Sequence, residues 1–174
     1  ANGFTDNGIA VSVGIDNIAG TRNSMPIMNL AWNPSFFRDG RSATIQDQAL
    51  EPVKDPIEMH FTWPEAMVRL NRHSEYKELF AAVYGEGEID SNMVTDAISQ
   101  FELTLISGSS MVDEAFLNSG SNPGLIPPFD DPKVARGYRI FITEPNPNGG
   151  GGDCFHCHSD FRDGGVFTNH DFAN

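Results

Sequence analysis

Beginning at Ser91, the apolar residues Val94, Ala97, Ile98, Phe101 and Leu105 recur at helical spacing, the strongest periodic run in the chain. A second amphipathic stretch opens at Ser74, with Tyr76, Leu79, Phe80 and Val83 along one face and Gly85 as its stop. Thr62, followed by Pro64 and Glu65, has the form of a capping box with proline in the first turn, and predicts a helix to about Leu70. Ser42 is a candidate cap for a short helix through Leu50, which Pro52 is expected to stop. Asp131 and Pro132 open one more helix, whose inner face carries Val134, Tyr138 and Phe141. Upstream of all these, residues 1–41 are rich in Gly, Asn and Asp and show no sustained period, so they read as loops and short turns. Within them, Met25 to Trp32 is the main apolar piece and is expected to be buried. No strand pair and no internal repeat stand out. The fold class that follows is mainly α, with long loops, and long loops in a compact domain often wrap a ligand.

Composition narrows the picture. The chain has 174 residues, with 39% hydrophobic and 20% charged, which is a globular balance. Its formal net charge of -13 disfavours nucleic acid and anionic membrane surfaces as partners and favours a basic one. No apolar run reaches the roughly 18 residues of a membrane span. Ser119 to Pro132 is a Pro/Gly-rich break and the best candidate domain boundary, dividing residues 1–122 from residues 123–174.

Chemistry concentrates after the last predicted helix. Cys154, Cys157 and His158 read C-x-x-C-H, behind a run of four glycines from Gly149 to Gly152. A haem c needs two thiols for its vinyl groups and one iron ligand beside them, and this spacing supplies all three on one turn. Other uses of the same residues remain open here. A zinc site would need more ligands than His156 and His158 add to the two thiols, and the chain has no other cysteine. A redox dithiol would be expected to open a helix after a strand. An inert loop would leave two reactive thiols beside two histidines in a wet segment.

Four further segments bear on this choice. They are "GTRNSMPIMN" (Gly20 to Asn29), "FFRDGRSATIQDQALEPVKDPIEM" (Phe36 to Met59), "FELTLISGSSMVDEAF" (Phe101 to Phe116) and "ARGYRIF" ahead of "CFHCH". In this order they resemble the G-x-R-N-x-P, F-W-D-G-R…E-M, F-E-x-T-L and pre-haem segments of the bacterial di-haem cytochrome c peroxidase family. The likeness runs along nearly the whole chain.

The resemblance implies a two-domain protein with a cytochrome-c-like helical fold in each half. One covalent haem c would react with hydrogen peroxide, and a second would take electrons from a small donor protein such as a cytochrome c or cupredoxin. Residues 1–122 would form most of the N-terminal peroxidatic domain, and residues 123–174 the start of the electron-transfer haem domain. Cys154 and Cys157 would be the thioether attachments of the second haem, with His158 as its iron ligand. Gln48, Pro52 and Glu58 match the family's catalytic positions. A carboxylate over an open iron face can move a proton from the near to the far oxygen of peroxide, which makes Glu58 the general base and acid. Gln48 would orient peroxide or water, and Pro52 would fix the turn that carries the acid; His60 is the nearest alternative base. Asn23 would contribute a side-chain oxygen to a calcium ion held between the domains. Covalent haem attachment takes place outside the cytoplasm, so the resemblance implies an exported, periplasmic protein. The oligomeric state stays open, a homodimer included. A related di-haem oxidase acting on a protein side chain, and a haem c electron carrier without peroxidase activity, are the alternative functions.

The chain also departs from the family pattern. It has no upstream C-x-x-C-H, so at most one of two haem attachment sites is present. The axial ligand opposite His158 is expected downstream. These two features lead to the expectation of an internal fragment, inactive by itself. Where many members carry a histidine in S-x-G-H, "SVGID" has Ile15, and the family's inter-haem tryptophan is Arg38.

Overall fold

The computed structural model describes residues 8–119, 129–147 and 149–158. Among them lie six α-helices: α1 (Ile45–Lys54), α2 (Trp63–Arg72), α3 (Ser74–Tyr84), α4 (Ser91–Leu103), α5 (Met111–Asn118) and α6 (Pro132–Phe141). Three short 3-10 turns complete the set, Ile15–Asn17, Leu30–Trp32 and Cys154–His156. Strand pairing among the described residues is limited to two isolated bridges, Val13 with Ala19 and Phe36 with Ser42. The mainly α fold expected from the sequence is what forms. The described helices include none long and apolar enough to cross a membrane.

The chain divides into two compact units, residues 1–31 with 35–105, and residues 32–34 with 106–174. The boundary expected at residue 122 lies outside the described residues. In the first unit α1 packs on α4 and α2 on α3. The core there is Phe36, Phe37, Ile45, Ala49 and Ile89, with Ser42, Thr95 and Ser99 also buried. In the second unit Ala115 and Tyr138 are buried, and the Tyr138 ring meets Phe116 at 5.9 Å and Phe129 at 5.3 Å.

Caps explain most helix starts. Thr62 accepts the Glu65 N–H at 3.4 Å, one half of the predicted capping box, while its hydroxyl donates to the Glu65 carboxylate at 2.5 Å in place of the reciprocal backbone bond. Asp131 accepts from Lys133 N at 2.7 Å, ahead of Pro132. Helix α4 is capped by Asp90, one residue before the expected start.

Four expectations are corrected. Helix α1 is capped by Thr44, not Ser42, and runs through Pro52 to Lys54. Ser42 is instead buried in a backbone bridge to Phe36. Proline removes one rung, the bond onto the Gln48 carbonyl, and so close to the helix end the loss is tolerated. Helix α5 was not anticipated, although Ser110 and Asp113 form a reciprocal capping box. In α4 the buried positions are Thr95 and Ser99, while Ile98 and Phe101 of the expected inner stripe stay 38% and 56% exposed. The Thr95 and Ser99 hydroxyls bond the Asn92 and Asp96 carbonyls of their own helix, so these small residues can be buried without an outside partner. Met25 to Trp32 is not buried: it lies half-exposed to exposed, with Trp32 at 51%. A backbone bond from Asn29 N–H to the Leu105 carbonyl at 2.9 Å fixes this segment, rather than burial of its side chains.

Candidate functional site

Gln48 and Pro52 stand one turn apart on α1, both half-buried. The chain then reverses through an acid-bearing turn, Asp55 to His60. Asp55 starts it by accepting the Ile57 and Glu58 N–H groups on Oδ1, at 2.7 and 3.3 Å, and Pro56 follows it. The returning strand of the turn is fastened to the end of α1. Met59 N–H donates to the Pro52 carbonyl at 3.2 Å and Phe61 N–H to the Val53 carbonyl at 2.9 Å. These helix-end carbonyls have no partner within the helix, and the turn satisfies them. His60 takes a left-handed φ of 46° and donates its N–H to the Asp55 carbonyl at 2.8 Å.

Glu58 is solvent-exposed as a residue, yet partial burial of its carboxyl raises its pKa, and the neighbouring Asp55 charge adds to the effect. Arg41 opposes the rise. Arg41 Nη1 donates to both Asp39 carboxylate oxygens, at 2.9 and 3.0 Å, and the guanidinium lies 3.4 Å from the centre of the Phe37 ring. Burial works against the Asp39 charge, but the hydrogen bonds and charge of Arg41 prevail and hold its pKa down.

The segment around Ile15 also reaches this turn: Ile15 N–H donates to the Glu58 carbonyl at 2.8 Å. Backbone bonds thus tie Ile15 and Pro52 to the Glu58 turn, and Gln48 lies one helical turn before Pro52 on α1. The Asn23 side-chain amide donates to the Ile9 carbonyl at 2.7 Å. Arg38 donates to the Asn23 and Ser24 carbonyls, each at 3.4 Å.

In the second unit the two cysteines and His158 occupy a single turn. The Cys157 and His158 N–H groups both converge on the Cys154 carbonyl, at 3.2 and 2.8 Å. Neither cysteine is in a disulfide, and the three residues are half-buried. The glycine run explains where this turn sits. Gly152 N–H donates to the Ile140 carbonyl at 2.7 Å, Gly151 N–H to the Glu144 carbonyl at 3.1 Å, and Asp153 N–H to the Thr143 carbonyl at 3.1 Å. A Cβ on Gly151 would collide with the Thr143 carbonyl, so the loop can lie on the end of α6 only without a side chain there. The His158 ring faces Phe141 of that helix at 6.5 Å, and His156 is paired with Asp153 at 2.5 Å. Two unoxidised thiols and an imidazole on one half-buried turn fit the attachment of haem c. No group of three or more His, Cys, Asp or Glu that could hold a metal ion is found among the described residues.

Sequence reasoning missed Asp55 and Arg41, which hold or polarise the acid turn, and Gly14, on which a Cβ would collide with the Ile57 carbonyl of that turn. The Asp-Pro pair at 55–56 was a readable turn signal. Nothing in the sequence pointed from Arg41 or Gly14 to Glu58.

Comparison with known proteins identifies the family. The family model described as di-haem cytochrome c peroxidase matches residues 1–121. The chain is 39% identical over 108 residues to cytochrome c peroxidase Ccp of Escherichia coli K12, covering 62% of this chain and 23% of that protein. It is 32% identical over 161 residues to the methylamine utilization protein MauG of Methylorubrum extorquens, covering 92% of this chain and 41% of that one. Among solved structures, a MauG-like protein associated with microbial copper homeostasis superposes with a TM-score of 0.67 at 25% identity, covering 87% of this chain and 41% of its own. The chain spans less than half the length of these relatives.

Proposed function

The chain belongs to the di-haem cytochrome c peroxidase family, and from that premise we propose that it carries the proton-handling acid of a periplasmic enzyme that reduces hydrogen peroxide to water. Electrons would come from a small redox protein, a cytochrome c or cupredoxin. The observation that carries the reading is the Glu58 turn, pinned to the end of α1 through Met59 and Phe61, with its carboxyl pKa raised. Haem c, when bound, supplies the iron at which peroxide reacts and the relay that brings electrons.

The work of the chain itself is binding, orientation and proton transfer. A carboxylate with a raised pKa takes a proton more readily than an ordinary one near neutral pH, and can return it. Glu58 accepts the proton from one peroxide oxygen and delivers it to the other. Gln48, one helical turn from Pro52, offers an amide that donates to one oxygen and accepts from a water. Pro52 contributes through its carbonyl, which holds Met59 and so the acid turn. Ile15 has no ligating atom, so the position facing the acid turn is left to peroxide. Cys154, Cys157 and His158 would hold the electron-transfer haem. Asn23 would supply one oxygen to calcium, with the remaining ligands from elsewhere.

A second reading, oxidation of a protein side chain, is favoured by the MauG relatives, which align over most of this chain. The two readings share the acid turn and differ in substrate. The test is Glu58→Gln in the full-length, haem-loaded protein. Peroxide turnover should drop by roughly a hundredfold or more, with haem content unchanged. Undiminished turnover would remove Glu58 from the mechanism.

A further inference from the structure

The acid turn is held from two sides, and only one of them is α1. The other is the tip of a small closed loop, residues 12–22. Its base is a pair of backbone bonds, Gly20 N–H to the Ser12 carbonyl at 2.8 Å and Ser12 N–H to the Arg22 carbonyl at 3.1 Å. Val13 bridges Ala19, and Gly14 N–H donates to the Ile18 carbonyl at 3.0 Å. Asp16 and Asn17 turn the tip with left-handed φ of 60° and 59°. This loop is thus braced by its own backbone before it meets anything else.

What meets the acid turn is main chain. Ile15 N–H bonds the Glu58 carbonyl, while the Ile15 side chain is 47% exposed. Gly14 lies so close to the Ile57–Glu58 peptide that a Cβ would fall on the Ile57 carbonyl and within 2.8 Å of the Glu58 oxygen. Those are backbone atoms and cannot swing aside as a flexible side chain would. Gly14 has φ -92° and ψ -157°, an extended conformation open to any residue. Glycine is therefore required here for space and not for conformation.

The geometry points to Gly14 as a positioning residue for Glu58: its bare Cα lets the loop tip clamp the acid turn through backbone contacts alone. This rests on the reading of Glu58 as the proton-handling acid. Without the clamp, the turn keeps its bonds to α1 but loses its outer support, and the carboxyl, already partly exposed, is hydrated further.

Two readouts on the full chain test this without relying on turnover: hydrogen exchange at the Ile15 amide, and carbon-13 NMR titration of the Glu58 carboxyl. The charged groups that act on that carboxyl are Asp55 on its own turn and Arg41 ahead of α1, and both are kept in every variant. Gly14→Ala should cost about tenfold in exchange protection at Ile15, equivalent to about 1.4 kcal/mol of local stability, and bring the Glu58 midpoint down toward the ordinary carboxylate range. Ile15→Ala keeps the N–H and should change neither readout. If Gly14→Ala does not fold, Ile15→Pro removes the donor without adding a Cβ at residue 14, and should lower the Glu58 midpoint in the same way. An unchanged midpoint and retained protection in Gly14→Ala, or an unchanged midpoint in Ile15→Pro, overturns the inference. If Gly14→Ala shifts Glu58 but Glu58→Gln leaves peroxide turnover intact in the full-length protein, the positioning stands and the catalytic reading falls.

Discussion

Glu102 on α4 shows what a single residue can contribute that no pattern reveals. One of its carboxylate oxygens is buried and has no hydrogen-bond partner, and burial raises its pKa. A carboxyl whose pKa is higher folded than unfolded binds its proton more tightly in the native state. Its penalty is absent below the unfolded value and grows as pH rises toward the folded one. Glu102→Gln should therefore stabilise the protein at pH 7, because it removes the charge that burial disfavours while keeping the shape of the side chain. The gain should vanish below about pH 4, near the ordinary carboxylate pKa. Urea unfolding at the two pH values measures it. The sequence placed Glu102 inside a recognisable F-E-x-T-L segment but said nothing of its burial. Glu58 was singled out only through the resemblance of its segment to the family's E-M signature; by its own residues it read as an ordinary loop carboxylate. The groups that set its proton affinity, Asp55 and Arg41, depend on which charges the fold brings near it.

At the scale of elements, local chemistry was readable wherever a cap and a period coincided. Thr62 with Glu65, and Asp131 with Pro132, announced α2 and α6 because the cap bonds are made within a few residues. Helix α5 escaped notice because its capping box uses Asp113 in place of Glu or Gln and its run is only 8 residues. The end of α1 was misplaced because a proline near a helix terminus removes a single rung. The glycines divide the same way. Gly151 is required by contact with Thr143, whereas Gly137 within α6 has open space around it. Gly151→Ala should destabilise by about 1–3 kcal/mol through overpacking and lower the yield of covalently attached haem. Gly137→Ala should stabilise by about 0.5–1 kcal/mol through helix propensity. Thermal unfolding of the two variants checks the opposite signs, and a pyridine haemochrome spectrum checks the attachment.

For the whole molecule, the net charge of -13 sets how partners approach. A basic electron donor would be steered toward it, and raising the ionic strength from about 10 to about 100 mM shortens the Debye length from about 30 to about 10 Å. Donor oxidation by the full-length protein should slow by roughly tenfold over that range, measured by stopped flow. A rate independent of salt would mean that the donor is not guided by this charge. By itself the sequence determined the helical class, the caps of α2 and α6, and the C-x-x-C-H turn with its glycine approach. These follow from interactions among residues a few positions apart, where residue type and spacing are sufficient. Tertiary structure alone decided that α4 buries Thr95 and Ser99 rather than Ile98 and Phe101, and that Met25 to Trp32 stays at the surface. It alone brought the Gly14–Ile15 backbone onto the Glu58 turn. That contact joins residues more than forty positions apart through main-chain atoms, which every residue has, so no side-chain pattern could announce it.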